Sequence, residues 1–189
     1  MAGDSRASMV RSAASLIGAR GVSATSFADV VSDSGAPRGS IYHHFPEGKR
    51  QLAEEAIGLT SERVLAYVRA LPTDSPATVL ERFVDLWRGV VAASAGRAGC
   101  AVAGVAVDTD DDVHLMAVVR SAFDSWVEAL ADRLARSGLP ADRAVPVARL
   151  SLAAMEGALI LCRAEGSTGP LDSVAGELLG LVAGRGPSA

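Results

Sequence analysis

The sequence predicts an all-α protein, with a small N-terminal three-helix unit followed by a larger helical bundle. Three observations predict it. Apolar residues recur at helical spacing along almost all of the 189 residues. Alternating β-branched or aromatic runs bounded by hairpin turns are missing from the sequence. Gly and Pro fall between the periodic segments, where helices must start or stop.

The first helix is expected from about Ser5 to Arg20, with Val10, Ala13, Ala14 and Ile17 on one face and Gly21 ending it in a left-handed conformation. A short second helix follows, capped by Ser26 with Asp29 at capping-box spacing, burying Phe27, Val30 and Val31 and stopped by Gly35. Pro37 suits the first turn of a third helix that reaches only His44, because Pro46 and Gly48 punctuate the chain. Longer helices are expected from Gly48 to Leu71 and, beyond the Pro72 to Pro76 loop, from Ala77 to Ala95, ended by Gly96 and Gly99. A small-residue helix, Ala101 to Val107, meets the acidic run Asp108 to Asp112. Helices from Val113 to Ser137, Asp142 to Ala164 and Leu171 to Ala183 complete the chain, the last two separated by the loop Gly166 to Pro170.

Charge is unevenly distributed. Residues 1–50 carry six basic and four acidic side chains, a balance of +2, whereas residues 51–189 carry twelve and eighteen, a balance of −6. A net charge of −4 does not suit a protein that coats nucleic acid by bulk attraction, so a nucleic-acid surface would have to be local and N-terminal. The charge-free run from Ala98 to Val107 is far short of the roughly 20 residues that cross a bilayer, and no secretory apolar centre is seen near the start. A cytoplasmic protein without membrane contact is expected. Its two cysteines, Cys100 and Cys162, are then expected to be buried thiols, with a disulfide or redox switch as the alternative.

Two short helices joined by a tight Gly-containing turn and braced by a preceding helix are the parts of a helix-turn-helix, which places its second helix in the DNA major groove. Three-helix corners without function share that spacing. The composition of the third helix favours the DNA reading: Ile41 and Phe45, four apart, make one buried face, and Arg38, Ser40, Tyr42, His43 and His44 lie elsewhere. Gly39 costs about 1 kcal/mol of helix stability relative to Ala, tolerable where the backbone must closely approach something. Lys49 opens the next helix, where its ammonium and the exposed N–H groups of the first turn face one direction, suited to a phosphate.

The segment Thr25 to Leu52, with Tyr42, Phe45, Lys49 and Leu52 at characteristic spacing, resembles the tetracycline-repressor (TetR) family of bacterial regulators. Within that family the run from Ala36 to Pro46, and the Gly99-Cys100 segment with the Ala/Val-rich stretch after it, look closest to the branch of lincomycin-resistance and flavonoid-responsive repressors. Pro37 departs from the capping Ser or Thr that many members carry, which affects what the first residue of the recognition helix reads. The resemblance implies that Tyr42, His44 and Lys49 hold phosphates, that Ser26 touches the DNA backbone, and that Arg38, Ser40 and His43 approach base edges, Gly39 allowing the approach. Arg38 is the best guanine reader, since a guanidinium bonds O6 and N7 together.

The resemblance also implies a helix-turn-helix domain over residues 1–50 and a ligand-sensing and dimerisation domain over 51–189. Its partners would be a double-stranded DNA operator, a small-molecule effector and a second copy of the chain, with no cofactor. The helix from Asp142 to Ala164 is apolar nearly all round and must be covered on two sides. A homodimer interface is therefore expected from Ala154, Gly157, Ala158 and Leu161 together with Val174, Leu178 and Leu181 of the last helix. Phe83, Trp87, Val90, Met116, Phe123, Trp126 and Met155 lie in the helices where this family builds its effector cavity; ordinary core packing is the alternative for each.

Other readings fail on chemistry. Asp108 to Asp112 imitates the opening of a calcium loop, but Val113 stands where Gly is needed and Val119 where a bidentate Glu should be. His43 and His44 are adjacent and leave the helix in different directions, unsuited to one zinc. No nucleophile with its base, phosphate loop or paired carboxylates is marked, and His114 has no motif partner, so no catalytic residue and no metal site are expected. A helical protein-binding adaptor without affinity for DNA is the competing class.

Overall fold

The computed structural model describes residues 2–94, 99–109 and 112–183, with the side chains from Ser5 onward. Among these residues there are nine helices and no strand: α1 (Ala2–Arg20), α2 (Phe27–Ser34), α3 (Ser40–His44), α4 (Lys49–Arg69), α5 (Pro76–Ala93), α6 (Ala101–Ala106), α7 (Val113–Arg136), α8 (Ala141–Glu165) and α9 (Gly169–Val182). The all-α expectation holds. The expected stop at Gly96 and the acidic residues Asp110 and Asp111 lie outside the described residues.

Several boundaries differ, for local reasons. Regular helix α3 begins at Ser40 rather than Pro37: the Ser40 N–H and Oγ–H both donate to the Pro37 carbonyl, at 3.0 and 2.7 Å, so Arg38 and Gly39 occupy an entry turn. Pro76 and Pro170 join helices instead of loops, each at the start of its helix, where a missing N–H costs nothing. Ser75 caps α5 by accepting the Thr78 N–H at 3.1 Å. Helix α8 continues through Pro146 near its start, forgoing one backbone hydrogen bond.

Contacts divide the chain into two compact units. The first comprises 1–63 with 99–123; the second comprises 64–98 with 124–189, so α4 and α7 each contribute to both.

In the first unit, Met9, Val10, Ala13 and Ile17 of α1, Val30 and Val31 of α2, Ile41 of α3 and Phe45 are buried. Phe27 is half-buried, not part of the α2 core stripe as expected, because its ring turns toward Tyr42. Glycines bring α6 onto α1 backbone to backbone: a Cβ on Gly18 or Gly99 would strike the other's carbonyl oxygen, and one on Gly104 would strike that of Ile17. Ile17's carbonyl is itself engaged, accepting the Gly21 N–H at 2.8 Å where the chain turns at φ +83°. Cys100 opens α6 and is buried and unbridged, as is Cys162 in the second unit.

The second unit packs α5 against α8 and α9, and α8 against α9. Arg88 of α5 reaches Asp172 of α9 at 2.7 Å and Asp85 at 2.9 Å, and its hydrogen bond to Asp172, with that to Asp85, holds the guanidinium pKa above its ordinary value. An Arg133 guanidinium N–H donates to the Leu71 carbonyl, capping the chain just past α4. Helix α8 is the one helix among the described residues long and apolar enough to cross a membrane, but Val147, Leu152, Met155, Leu159 and Cys162 along it are buried. Core helices of that kind pass the same length and composition test.

Candidate functional site

Helices α2 and α3 owe their relative placement to short-range chemistry. Ser26 Oγ accepts the Asp29 N–H at 3.1 Å, while the Ser26 N–H and hydroxyl donate to Asp29 Oδ2 at 2.9 and 2.6 Å, completing the capping box. Arg20, at the end of α1, pairs with the same carboxylate at 2.8 Å. The Ser26 hydroxyl and N–H, then the Arg20 charge, hold the Asp29 carboxyl below its ordinary pKa. Gly35 at φ +67° then turns the chain toward α3.

Ile41 and Phe45 are fully buried, so the opposite side of α3 is free. Tyr42 is 69% exposed and lies edge-on to Phe27, ring centroids 5.5 Å apart at 72°. Arg38, Gly39 and His43 are exposed; Ser40 and His44 are half-buried. Among the described residues Arg38 makes no hydrogen bond or ion pair, in contrast to Arg6, Arg20, Arg50, Arg82, Arg88 and Arg136, which all have carboxylate partners. A groove of about 630 Å³ runs between the two helices, with Ala28, Ser32 and Ala36 on one wall and Arg38 and Tyr42 on the other. The surface therefore offers an uncommitted guanidinium, an imidazole and a phenol beside this groove, on a backbone that leaves open space around Gly39.

Two of the expected contacts have prior engagements. Ser40 has donated its hydroxyl proton to Pro37, so toward a base it offers lone pairs only. Lys49 donates through Nζ to the Ser23 carbonyl at 3.1 Å, and Ser23 N–H in turn donates to Asp108 Oδ2. This bracket around Ser23 was not expected from sequence, because Asp108 lies 85 residues away from it in the chain. Nor was the seating of Arg6 5.6 Å over the Phe45 ring, with its ion pair to Glu55 at 2.7 Å.

In the second unit Phe83, Trp87 and Trp126 come together. Phe83 and Trp87 lie edge to face at 6.2 Å, and Trp87 and Trp126 are tilted at 6.4 Å, all three buried. Met155 of α8 is also buried and Val90 of α5 half-buried in this unit. Met116 and Phe123, half-buried, belong to the α7 segment in the first unit.

The α8 residues named for an interface divide between two directions. Ala154, Gly157 and Leu161 follow one another along an outward stripe that sequence reading began one step late, since Leu150 heads it; Leu150 and Leu161 are 51% and 52% exposed. Ala158 is turned inward and buried. Leu150 and Ala154 face Val174, Leu178 and Leu181 of α9 across an open groove of about 440 Å³, Leu178 forming its floor.

The chain is similar to known proteins along most of its length. Residues 10–56 match the model of the tetR family of bacterial regulatory proteins, and residues 76–177 that of the C-terminal domain of LmrA/YxaF-like transcriptional regulators. An uncharacterised HTH-type transcriptional regulator of Mycobacterium tuberculosis is 37% identical over 183 residues, spanning 94% of this chain and 93% of that one. The uncharacterised HTH-type regulator YxaF of Bacillus subtilis is 29% identical over 187 residues, covering 97% and 98%. A TetR transcriptional regulator from Legionella pneumophila shares the fold, with a TM-score of 0.82 at 21% identity over 93% of this chain and 95% of that one.

Proposed function

Because the chain belongs to the TetR family of DNA-binding transcriptional regulators, with an LmrA/YxaF-like C-terminal domain, we propose that it is a repressor that binds a palindromic operator as a homodimer and is released by a small apolar or aromatic effector. The observation that carries the reading is the uncommitted Arg38 beside Tyr42 and His43, presented by a capped helix pair with open space at Gly39. A guanidinium left without a carboxylate at the entry of a recognition helix is available for guanine O6 and N7. Tyr42, His44, Lys49 and Ser26 hold the flanking phosphates, and Ser40 and His43 meet base edges. The helix-turn-helix domain spans residues 1–50 and the sensing and dimerising domain 51–189.

The apolar stripe Leu150, Ala154, Gly157 and Leu161 with the α9 groove is the surface that a second copy covers, through a two-fold axis that sets each stripe against its twin. Exposed leucines at helical spacing on a helix whose other side is buried support that role. The two recognition helices then read half-sites separated by about one helical turn, near 34 Å, or a multiple of it. The effector is read by the aromatic residues of the sensing domain, and the protein acts in the cytoplasm, where its operator is.

The test is a fluorescence anisotropy titration of the purified protein with duplexes tiling the region upstream of its own coding sequence. A saturable, sequence-selective complex of one dimer per palindrome is expected. Equal affinity for every duplex at physiological salt would remove the operator reading, since backbone contacts alone carry no sequence information.

A further inference from the structure

Asp108 lies just past the end of α6, and its carboxylate reaches back to the turn between α1 and α2. Oδ2 accepts the Ser23 N–H, and a Cβ on Gly21, where φ is +83°, would meet the same oxygen at 2.7 Å. The Ser23 carbonyl, on the next peptide unit, accepts a donor from Lys49 Nζ at 3.1 Å. Both peptide groups flanking the Ser23 Cα are thereby held, one by an acid and one by the cation that opens α4. The acid is itself well seated: glycines set α6 on α1 at backbone distance, and the Asp108 N–H donates to the Val105 carbonyl at 3.2 Å. Lys49 forms no ion pair with a carboxylate among the described residues. A carbonyl takes one of the three ammonium donors and leaves the charge intact, whereas a carboxylate in its place would compete with a phosphate for it.

We propose that Asp108 is a positioning residue for DNA binding: by holding the Ser23 N–H it fixes the carbonyl that aims Lys49 at a phosphate of the duplex. The inference rests on the reading of Lys49 as a phosphate contact, and it extends the DNA-binding apparatus to a residue beyond the helix-turn-helix segment. A lysine side chain loses much rotamer freedom when it is fixed, and here part of that loss is already taken in the free protein. The sign of the expected effect opposes simple electrostatics. Removing a negative charge near a phosphate-binding lysine should strengthen DNA binding by Coulomb attraction alone, whereas removing a positioning acceptor weakens it.

The test titrates the full-length protein against a duplex from upstream of its coding sequence over a series of salt concentrations, with anisotropy as the readout. Wild type is compared with Lys49→Ala, Asp108→Ala, Asp108→Asn and the double alanine variant. Lys49→Ala is expected to lower the slope of log affinity against log salt by about 1 for each protomer. Asp108→Ala is expected to weaken binding and to lower the slope by most of that amount. In the Lys49→Ala background it should add nothing, because both substitutions act on one contact. Asp108→Asn, whose amide oxygen still accepts the Ser23 N–H, is expected to restore the slope. An Asp108→Ala protein that binds as tightly as wild type or more tightly, an unchanged slope, an equal loss in the Lys49→Ala background, or a failure of Asp108→Asn to rescue each overturns the proposal. Amide exchange in the wild type decides without any variant: Ser23 is exposed, so its N–H is expected to be protected only by the carboxylate, and exchange at the unprotected rate overturns the proposal. A wild-type slope in Lys49→Ala refutes the phosphate reading and the proposal with it. A slope lowered by Lys49→Ala and untouched by Asp108→Ala keeps that reading and refutes the positioning alone.

Discussion

Replacing Gly104 with Ala tests the backbone contact between α1 and α6. In isolation the change favours the helix by about 1 kcal/mol, the usual advantage of Ala over Gly in a helix interior. Here the new Cβ would strike the Ile17 carbonyl oxygen, with the carbonyl carbon 3.1 Å and Gly18 Cα 3.5 Å away. Nothing in that contact is the end of a flexible side chain, and the carbonyl is held by the Gly21 N–H at 2.8 Å. Overpacking costs about 1–3 kcal/mol, and against pinned backbone it should reach the upper end. The net expectation is about 2 kcal/mol of destabilisation once the propensity gain is subtracted. Gly89, exposed within α5 with nothing within 4 Å of its added Cβ, is the reference, since Gly89→Ala receives the propensity gain alone. At roughly 2–4 °C per kcal/mol for a chain of this size, Gly104→Ala should melt about 4–8 °C below the wild type and Gly89→Ala about 2–4 °C above it. Calorimetry at one fixed protein concentration reads both, because association shifts Tm. A Gly104→Ala protein that melts at or above the wild type refutes the claim that α6 lies against α1 at backbone distance.

Further tests address the helix-turn-helix and the interface. Ser26→Ala removes the α2 cap and should cost about 1 kcal/mol in urea unfolding. Asp29 has a native pKa below its ordinary 3.8, so its contribution is complete above that value and is lost as pH falls through the depressed one; the stability gap between wild type and Asp29→Asn should close on acidification, and a gap constant with pH contradicts it. Arg38→Ala should relax base preference at one symmetric pair of operator positions, at about 1–3 kcal/mol per half-site, whereas Lys49→Ala should weaken all duplexes alike and reduce the salt slope by about 1. If neither substitution alters anisotropy titrations, the DNA surface lies elsewhere. Leu150→Glu with Leu161→Glu should yield monomers by analytical ultracentrifugation with helicity retained; a persistent dimer places the interface on another face.

The family itself was legible because its signals are local. The capping box of Ser26 and Asp29, the left-handed turns at Gly21 and Gly35, and the burial of Ile41 and Phe45 each depend on residues within about one helical turn, so spacing suffices to read them. The entry to α3 was less legible: Pro37 is compatible with a helix start, and only the competing turn, with Ser40 bonded back to its carbonyl, moved regular helix to Ser40. Aromatic residues and an apolar helix could be recognised as such, but not which of their sides would be covered. Ala158 and Leu161 are both apolar, and Leu161 the more so, yet packing against the rest of the second unit buries the first and leaves the second out.

What the sequence by itself determined is thus the helix inventory, the capping box of α2 and the presence of a helix-turn-helix pair, all written in periods of three or four residues. Tertiary structure alone decided the long-range pairings: Asp108 with the Ser23 N–H, Gly104 against Ile17, Arg133 with the Leu71 carbonyl, and Trp87 left with an unanswered donor. The physical reason is that a helix specifies its own faces through backbone geometry, whereas the choice of which face meets which partner belongs to the packing of all elements together, and no spacing along the chain encodes it.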